Sequence, residues 1–397
     1  MSVEKIRNLR IALVTETYSP EINGVAKTLS RLVDTLHERG HSIHIIRPRQ
    51  KDEDHTAHYD LTHVRGLPIP GYADLQFGLP AGTKLHQLWR SETPDIIYIA
   101  TEGPLGWSAL ITANKLNIPV ISGFHTNFHS YSKHYKFGWL EKFIFAYLKH
   151  FHNKTACTLA PSPQLVSDLR KLGIHNANLF SRGVDTLVYN PKHRSQKLRQ
   201  SWQVEDDIPV ALYVGRIAAE KNINQVIDTY HAMQHQQPDI KLVMVGNGPL
   251  VNKLKKSHPD IIFTGAKIGD ELSQHYASAD IFLFASETET FGNVILEAMA
   301  SGLAVVAYDY AAPRMHIADK QNGTTCEPGD YQSFAANACE LVKNQQLINV
   351  IRYQARITAE QNDWKHIIDH FENMMVTYVK SEQYDGNESK EHISVDG

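Results

Sequence analysis

The segment IPVALYVGRIAAEKN, residues 208–222, decides the fold. Its VALYV run is apolar on both faces, as a strand buried from two sides requires and a half-exposed strand does not. Gly215 ends the run, Arg216 and Lys221 follow, and a helical pattern begins beyond them. The same succession recurs along the chain. RIALVTE, SIHIIRP, DIIYIAT, PVISGFH and CTLAPS precede this segment, and KLVMVGN, IIFTGA, ADIFLFAS and AVVAYD follow it. Amphipathic stretches lie between, such as GVAKTLSRLVDTLHERG, with Val25, Leu29, Leu32, Val33 and Leu36 on one face and Gly40 as a stop. Strand and helix in alternation specify βαβ units and doubly wound sheets, an α/β fold.

The pattern starts afresh near residue 208, so two Rossmann-like halves are expected, facing one another across a shared cleft. The polar stretch YNPKHRSQKLRQSWQVEDDIP before it reads as the link between them. The expected division is residues 1–195, residues 196–362, a last helix at 363–380 and a disordered tail at 381–397.

At 397 residues, 42% hydrophobic and 21% charged, the chain has the composition of an ordinary globular protein with room for two domains. A net charge of −3 gives no reason to expect nucleic acid as a partner. Cys157, Cys326 and Cys339 form no CxxC pair, which argues against a disulfide framework and a zinc ribbon. The N-terminus reads as a strand rather than a signal peptide, and no apolar run spans a bilayer. A cytoplasmic protein is expected, with peripheral contact at the inner membrane face left open.

Strand ends carry the candidate chemistry. Gly215, Arg216 and Lys221 sit where a diphosphate would lie in such a fold, although the two cations also suit a solvated loop. Gly246 in VGNGPL permits close backbone approach, and Lys267 and Ile268 end a turn, FTGAKI, whose backbone can meet a flat base. In ETFGNVILE, Asn293 is expected to cap a helix, with amides of Phe291, Gly292, Asn293 and Val294 aimed at a phosphate. Glu289 at the turn can accept hydrogen bonds from sugar hydroxyls, and Glu297 can take a ribose diol or pair with a cation inside its own domain. In the first half, Gly24 opens a helix after the first strand, and His125 ends a later one. His125, His129 and His134 raise the question of a metal, but no HExxH companion is present and none is expected.

In these motifs the chain resembles the retaining glycosyltransferases of family 4, which have the GT-B fold. Glu289 and Glu297 match the family's E-x7-E pattern, joined in order by RGVD at 182–185 and GRIAAEK; the resemblance runs from about residue 10 to 375. It implies that Arg216 and Lys221 bind the donor diphosphate, Glu289 the transferred sugar and Glu297 the nucleotide ribose. Gly24 would approach the reacting phosphate, His125 would touch the sugar, and the last helix would cross back onto the acceptor-side domain. ATEGPLG and HTNF look most like lipid-directed mannosyltransferases and sulfoquinovosyltransferases. One departure stands out: Ala311 and Ala312 occupy the place where many members carry Gly-Gly, with Met315 or His316 where an acid would fall.

The resemblance therefore implies transfer of a hexose, of mannose or glucose type, from GDP-mannose or a UDP-sugar to a glycolipid or polysaccharide acceptor, with no cofactor. A nucleotide-sugar epimerase or phosphorylase, or a non-catalytic nucleotide-sugar binding module, remains the alternative. The segment KFGWLEKFIFAYLKHFHNK, 136–154, reads either as a core helix or as a membrane-facing one, with Leu140, Phe143, Ile144, Tyr147 and Phe151 on one side.

Overall fold

The computed structural model describes residues 8–19, 21, 24–49, 59–69, 72–124, 138–287 and 292–391. The chain divides into two compact units, Met1–Ser181 with Ile367–Gly397, and Arg182–His366.

In the first unit the strands are β1 (Arg10–Val14), β2 (Ser42–Pro48), β3 (Asp60–Val64), β4 (Gly66–Ile69), β5 (Tyr72–Gly78), β6 (Ile96–Ile99), β7 (Val120–Gly123), β8 (Cys157–Ala160) and β9 (Ala177–Leu179). Seven form a parallel sheet in the order β3-β2-β1-β6-β7-β8-β9, and β4 pairs with β5 as an antiparallel hairpin. The order reverses between β1 and β6. Ligands of open α/β sheets bind outside the carboxyl ends of the strands at such a reversal.

The last helix, Trp364–Glu391, packs into this unit from Ile367 onward. Its Glu372 is nearly buried and takes Arg39 Nη1 at 2.5 Å and His41 Nε2 at 2.9 Å. The Leu9 amide donates to His41 Nδ1, so the proton facing Glu372 sits on Nε2. The helix continues through the residues that the sequence reading assigned to a disordered tail, as far as Glu391. A long helical run of polar and acidic residues has no apolar stripe by which sequence could announce it.

The second unit holds β10 (Val210–Val214), β11 (Lys241–Val245), β12 (Ile262–Gly265), β13 (Ile281–Phe284), β14 (Ala304–Tyr308) and β15 (Thr324–Cys326), all parallel in the order β12-β11-β10-β13-β14-β15. Alternation along β10 shows why VALYV is apolar throughout. Ala211 and Tyr213 enter one core with Val226 and Tyr230, whereas Val210, Leu212 and Val214 enter the other with Leu296 and Met299. Helices cover both faces. The reversal lies between β10 and β13.

Residues 189–209 are not a link but part of this unit. Arg199 is fully buried, and its Nη1 lies 3.2 Å from Asp280, which also takes Arg194 at 3.1 Å and Arg352 at 3.0 Å. The Val210 amide donates to the same carboxylate at 2.9 Å. Charge along this stretch suggests solvent, but two of its arginines, Arg194 and Arg199, are directed onto one buried acid. The boundary thus falls at 181/182 rather than 195/196. Within RGVD, Val184 bridges to Asp363, so the chain enters and leaves this unit side by side.

Among the described residues no helix is long and apolar enough to cross a membrane.

Candidate active site

At the carboxyl end of β10 the chain turns at Gly215 and Arg216. The buried Tyr213 hydroxyl donates to the Arg216 carbonyl at 2.9 Å, fixing the backbone from below. The Arg216 side chain is 67% exposed and pairs with Glu220 at 3.2 Å. The neighbouring turn after β11 comes very close. A Cβ on Gly246 would stand 1.9 Å from the Gly215 carbonyl oxygen, and its φ of +143° also favours glycine. The Ile217 amide donates to the Asn247 carbonyl at 2.9 Å, so the two turns form one floor.

Across the reversal, the turn after β10 is tied to the turn after β13. Asn222, in a left-handed conformation with φ 51°, donates its side-chain amide to the Ala285 carbonyl and to the Glu287 carboxylate, each at 3.0 Å. Lys221 Nζ reaches Ser286 Oγ at 3.5 Å. The ammonium is thereby held beside the turn that leads into the helix Asn293–Ala300. Gly292 caps that helix, with φ 81° and ψ 52°. Asn293 is therefore its first residue and not its cap, because a glycine enters the left-handed region without a Cβ clash and leaves the cap position to itself. The amides of Asn293 and Val294 lie in the first turn, where the helix field favours an anion. Glu289 and Phe291 lie outside the described residues.

Glu297 stands in the second turn of that helix. Tyr276, fully buried, donates its hydroxyl to Oε2 at 2.9 Å, and Tyr189 is also hydrogen-bonded to Glu297. The two rings meet edge to face at 5.5 Å. Burial first, and the Glu297 charge second, hold the Tyr276 phenol well above its ordinary range, so it remains a neutral donor. The tyrosines orient the carboxylate. Neither tyrosine was legible as part of a site: Tyr276 lies inside a helix, and Tyr189 lies in the stretch read as a link.

Lys267 pairs with Glu271 at 3.2 Å, and Ile268, 85% exposed, stands beyond the carboxyl end of β12. After β14, Ala311 adopts φ 53° and ψ −125°, a conformation in which glycine is the unstrained residue. The loop keeps a glycine's geometry with an alanine in it. Arg314 pairs with Asp309 at 3.0 Å. His316 faces inward, and burial lowers its pKa to about 4, so it is neutral at pH 7.

In the first unit, Gly24 begins the helix Gly24–Glu38 beyond the carboxyl end of β1, and Thr28 Oγ1 donates to its carbonyl at 2.8 Å. His125 lies outside the described residues. The structure adds a residue that the sequence reading passed over, Glu16. Its amide donates to Thr101 Oγ1 at 3.1 Å, and its Oε1 accepts from the Gly78 amide at 3.2 Å. Gly103 lets it in, since a Cβ there would stand 2.3 Å from Oε1. Burial, partly offset by the Gly78 amide and reinforced by Glu102, lifts the Glu16 pKa from 4.5 to about 7. Strands β1 and β6 flank the reversal of this sheet, so Glu16 and Glu102 stand at its ligand-binding edge. An acid immediately after a buried strand was the available signal.

The helix Gly138–His152 buries Leu148 and Phe151 and leaves Phe143 67% and Tyr147 37% exposed. The single apolar face expected from the sequence is thus divided between core and surface. The side chain of Leu140 lies outside the described residues.

The family model "Glycosyltransferase Family 4" matches residues 22–187, and "Glycosyl transferases group 1" matches residues 194–358. A GDP-mannose-dependent alpha-mannosyltransferase of Corynebacterium glutamicum is 34% identical over 86% of this chain and 82% of its own length. Sulfoquinovosyl transferase SQD2 of Arabidopsis thaliana is 30% identical over 94% of this chain and 73% of its own. The fold of HepE from Anabaena, solved in complex with UDP, superposes with a TM-score of 0.72 at 19% identity, covering 93% of this chain and all of that one.

Proposed function

Since the chain belongs to glycosyltransferase family 4 and has its GT-B fold, a hexosyltransferase using a nucleoside-diphosphate sugar, we propose that GDP-mannose is the donor and a lipid-linked or polysaccharide chain the acceptor. The mannosyltransferase relatives support the donor, and the lipid-directed relatives support the acceptor.

One observation carries the assignment of the site. The Asn222 and Lys221 contacts bind the turn after β10 to the turn after β13. They hold a cation at the start of the turn that precedes the helix Asn293–Ala300, at the reversal of the sheet. In this reading the diphosphate lies there, with Arg216 reaching in from the exposed rim. As the glycosidic bond breaks, negative charge grows on the leaving phosphate. Lys221, Arg216 and the amides of Asn293 and Val294 meet that charge, so they favour the transition state over the bound donor. Glu297 takes the ribose diol, and the exposed Ile268 lies against the base. Retention follows from attack on the same face, with the leaving phosphate accepting the acceptor's proton. A glycosyl adduct trapped on Glu289 would replace that mechanism by a double displacement.

On the acceptor side, Gly24 and Glu16 stand at the reversal of the first sheet. A carboxyl that ionises near pH 7 can hold an acceptor hydroxyl in either protonation state. Phe143, exposed on a helix that also carries Lys142 and Lys149, suits peripheral contact with an anionic leaflet, and co-sedimentation with anionic vesicles tests it.

A thermal-shift panel of GDP-, UDP- and ADP-sugars tests the donor, because a ligand that binds only the folded chain raises its melting temperature with concentration. GDP-mannose is expected to give the largest shift. A larger shift with a UDP-sugar would reassign the donor, and donor turnover without any acceptor would indicate an epimerase.

A further inference from the structure

On the opposite edge of the second unit, three side chains converge that the transfer reaction does not use. His231 is in the last turn of the helix Ile223–Gln234, His258 ends the helix Val251–Ser257, and Asp260 follows in the turn into β12. The helix Ile223–Gln234 carries the chain from the carboxyl end of β10 back to the start of β11. The group therefore lies at the amino ends of the strands, away from the donor turns. One nitrogen from each imidazole and one carboxylate oxygen all lie within 4.8 Å of one another.

We propose that His231, His258 and Asp260 form a binding site for a divalent transition-metal ion of the zinc type. The His231 Nε2 to Asp260 Oδ2 separation is 3.6 Å, too long for a hydrogen bond. It matches the edge between two ligands of one ion, since bonds of about 2.0–2.2 Å in tetrahedral to trigonal array place ligand atoms about 3.3–3.6 Å apart. The His231 and His258 rings are 5.5 Å apart and tilted by 35°, so both can address one point. Two imidazoles and one carboxylate select zinc and its neighbours over magnesium or calcium, which take oxygen donors. A bound ion would clamp the turn before β12 to the helix Ile223–Gln234, two elements that the sequence separates. The spacing of 27 positions from His231 to His258 matches no metal motif, so sequence alone does not disclose the site.

The test uses the full chain, freed of metal by a chelator and titrated with zinc chloride by calorimetry, with cobalt(II) absorption as a second readout. One equivalent is expected to bind, and His231→Gln, His258→Gln and Asp260→Asn are each expected to weaken it at least about tenfold. These side chains are half-exposed or exposed, so the metal-free variants should melt with the wild type. Zinc should raise the melting temperature of the wild type and not of the variants. No stoichiometric binding, equal binding by all three variants, or magnesium binding as tight as zinc would each overturn the proposal.

Discussion

Replacing Glu297 by Gln separates a ligand contact from a structural one. Tyr276 is fully buried and donates to Glu297 Oε2 at 2.9 Å. An alanine would strip that hydroxyl of an acceptor and cost about 1–3 kcal/mol of stability, clouding any kinetic result. Glutamine keeps an oxygen there and almost the same shape, so the melting temperature should hold. What is lost is charge. A hydrogen bond to a charged group contributes about 1.5–3 kcal/mol and a neutral one about 0.5–1.5 kcal/mol. For a diol held by two such bonds the difference is about 1–3 kcal/mol, or about 5- to 150-fold in affinity. Calorimetric titration with the nucleoside diphosphate that the sugar panel selects measures it directly. Donor-varied kinetics should show a rise in KM with kcat little changed. Unchanged diphosphate affinity together with a fall in kcat would refute a ribose contact and move Glu297 into the chemical step.

Three further outcomes are expected. Arg216→Ala should lower kcat by about a hundredfold, and more than it raises KM, with no loss of stability, because the exposed pair with Glu220 contributes at most about 1 kcal/mol; parallel losses in kcat and affinity would contradict a leaving-group role. Ala311→Gly should raise stability by about 1 kcal/mol, since a non-glycine residue at φ 53° and ψ −125° carries about 1–3 kcal/mol of strain, offset by the freer unfolded chain; denaturant melts decide it. Glu16 binds its proton more tightly folded than unfolded, so its contribution to stability is present at low pH and declines as pH rises from about 4.5 through about 7. Melts of the wild type against Glu16→Gln across that range should show the wild type losing ground as pH rises, and a constant difference would mean that the carboxyl is not buried as described.

Strand recognition worked where burial on both faces forced an apolar run, as in VALYV and IFLF. It failed for the hairpin β4–β5 and for β3, β9 and β15, the last three being short edge strands with half-exposed residues. In the site, Gly215, Gly246 and Gly292 were legible because close approach or a left-handed turn leaves glycine as the residue that fits. Tyr189 and Tyr276 were not, since their meeting at Glu297 depends on three elements distant in sequence. Glu16 was missed for a similar reason: its raised proton affinity arises from burial, opposed by the Gly78 amide and reinforced by Glu102, and that burial is set by segments distant along the chain. The stretch 189–209 was misread because a run of charges looks the same whether water or a buried counter-ion receives it. Asn293 was placed one residue early, a shift that propensity cannot resolve when the preceding residue is a glycine free to take the cap.

The three arginines gathered on Asp280 bear on how this protein can be dissected. A fragment begun where the second sheet begins, at Val210, would omit Arg194 and Arg199 and keep their carboxylate, nearly buried, with Arg352 as its remaining arginine. Such an expression fragment should be recovered insoluble. One begun at Arg182 carries the whole ionic cluster and should fold on its own, giving a minimal nucleotide-binding piece for crystallisation and ligand screening.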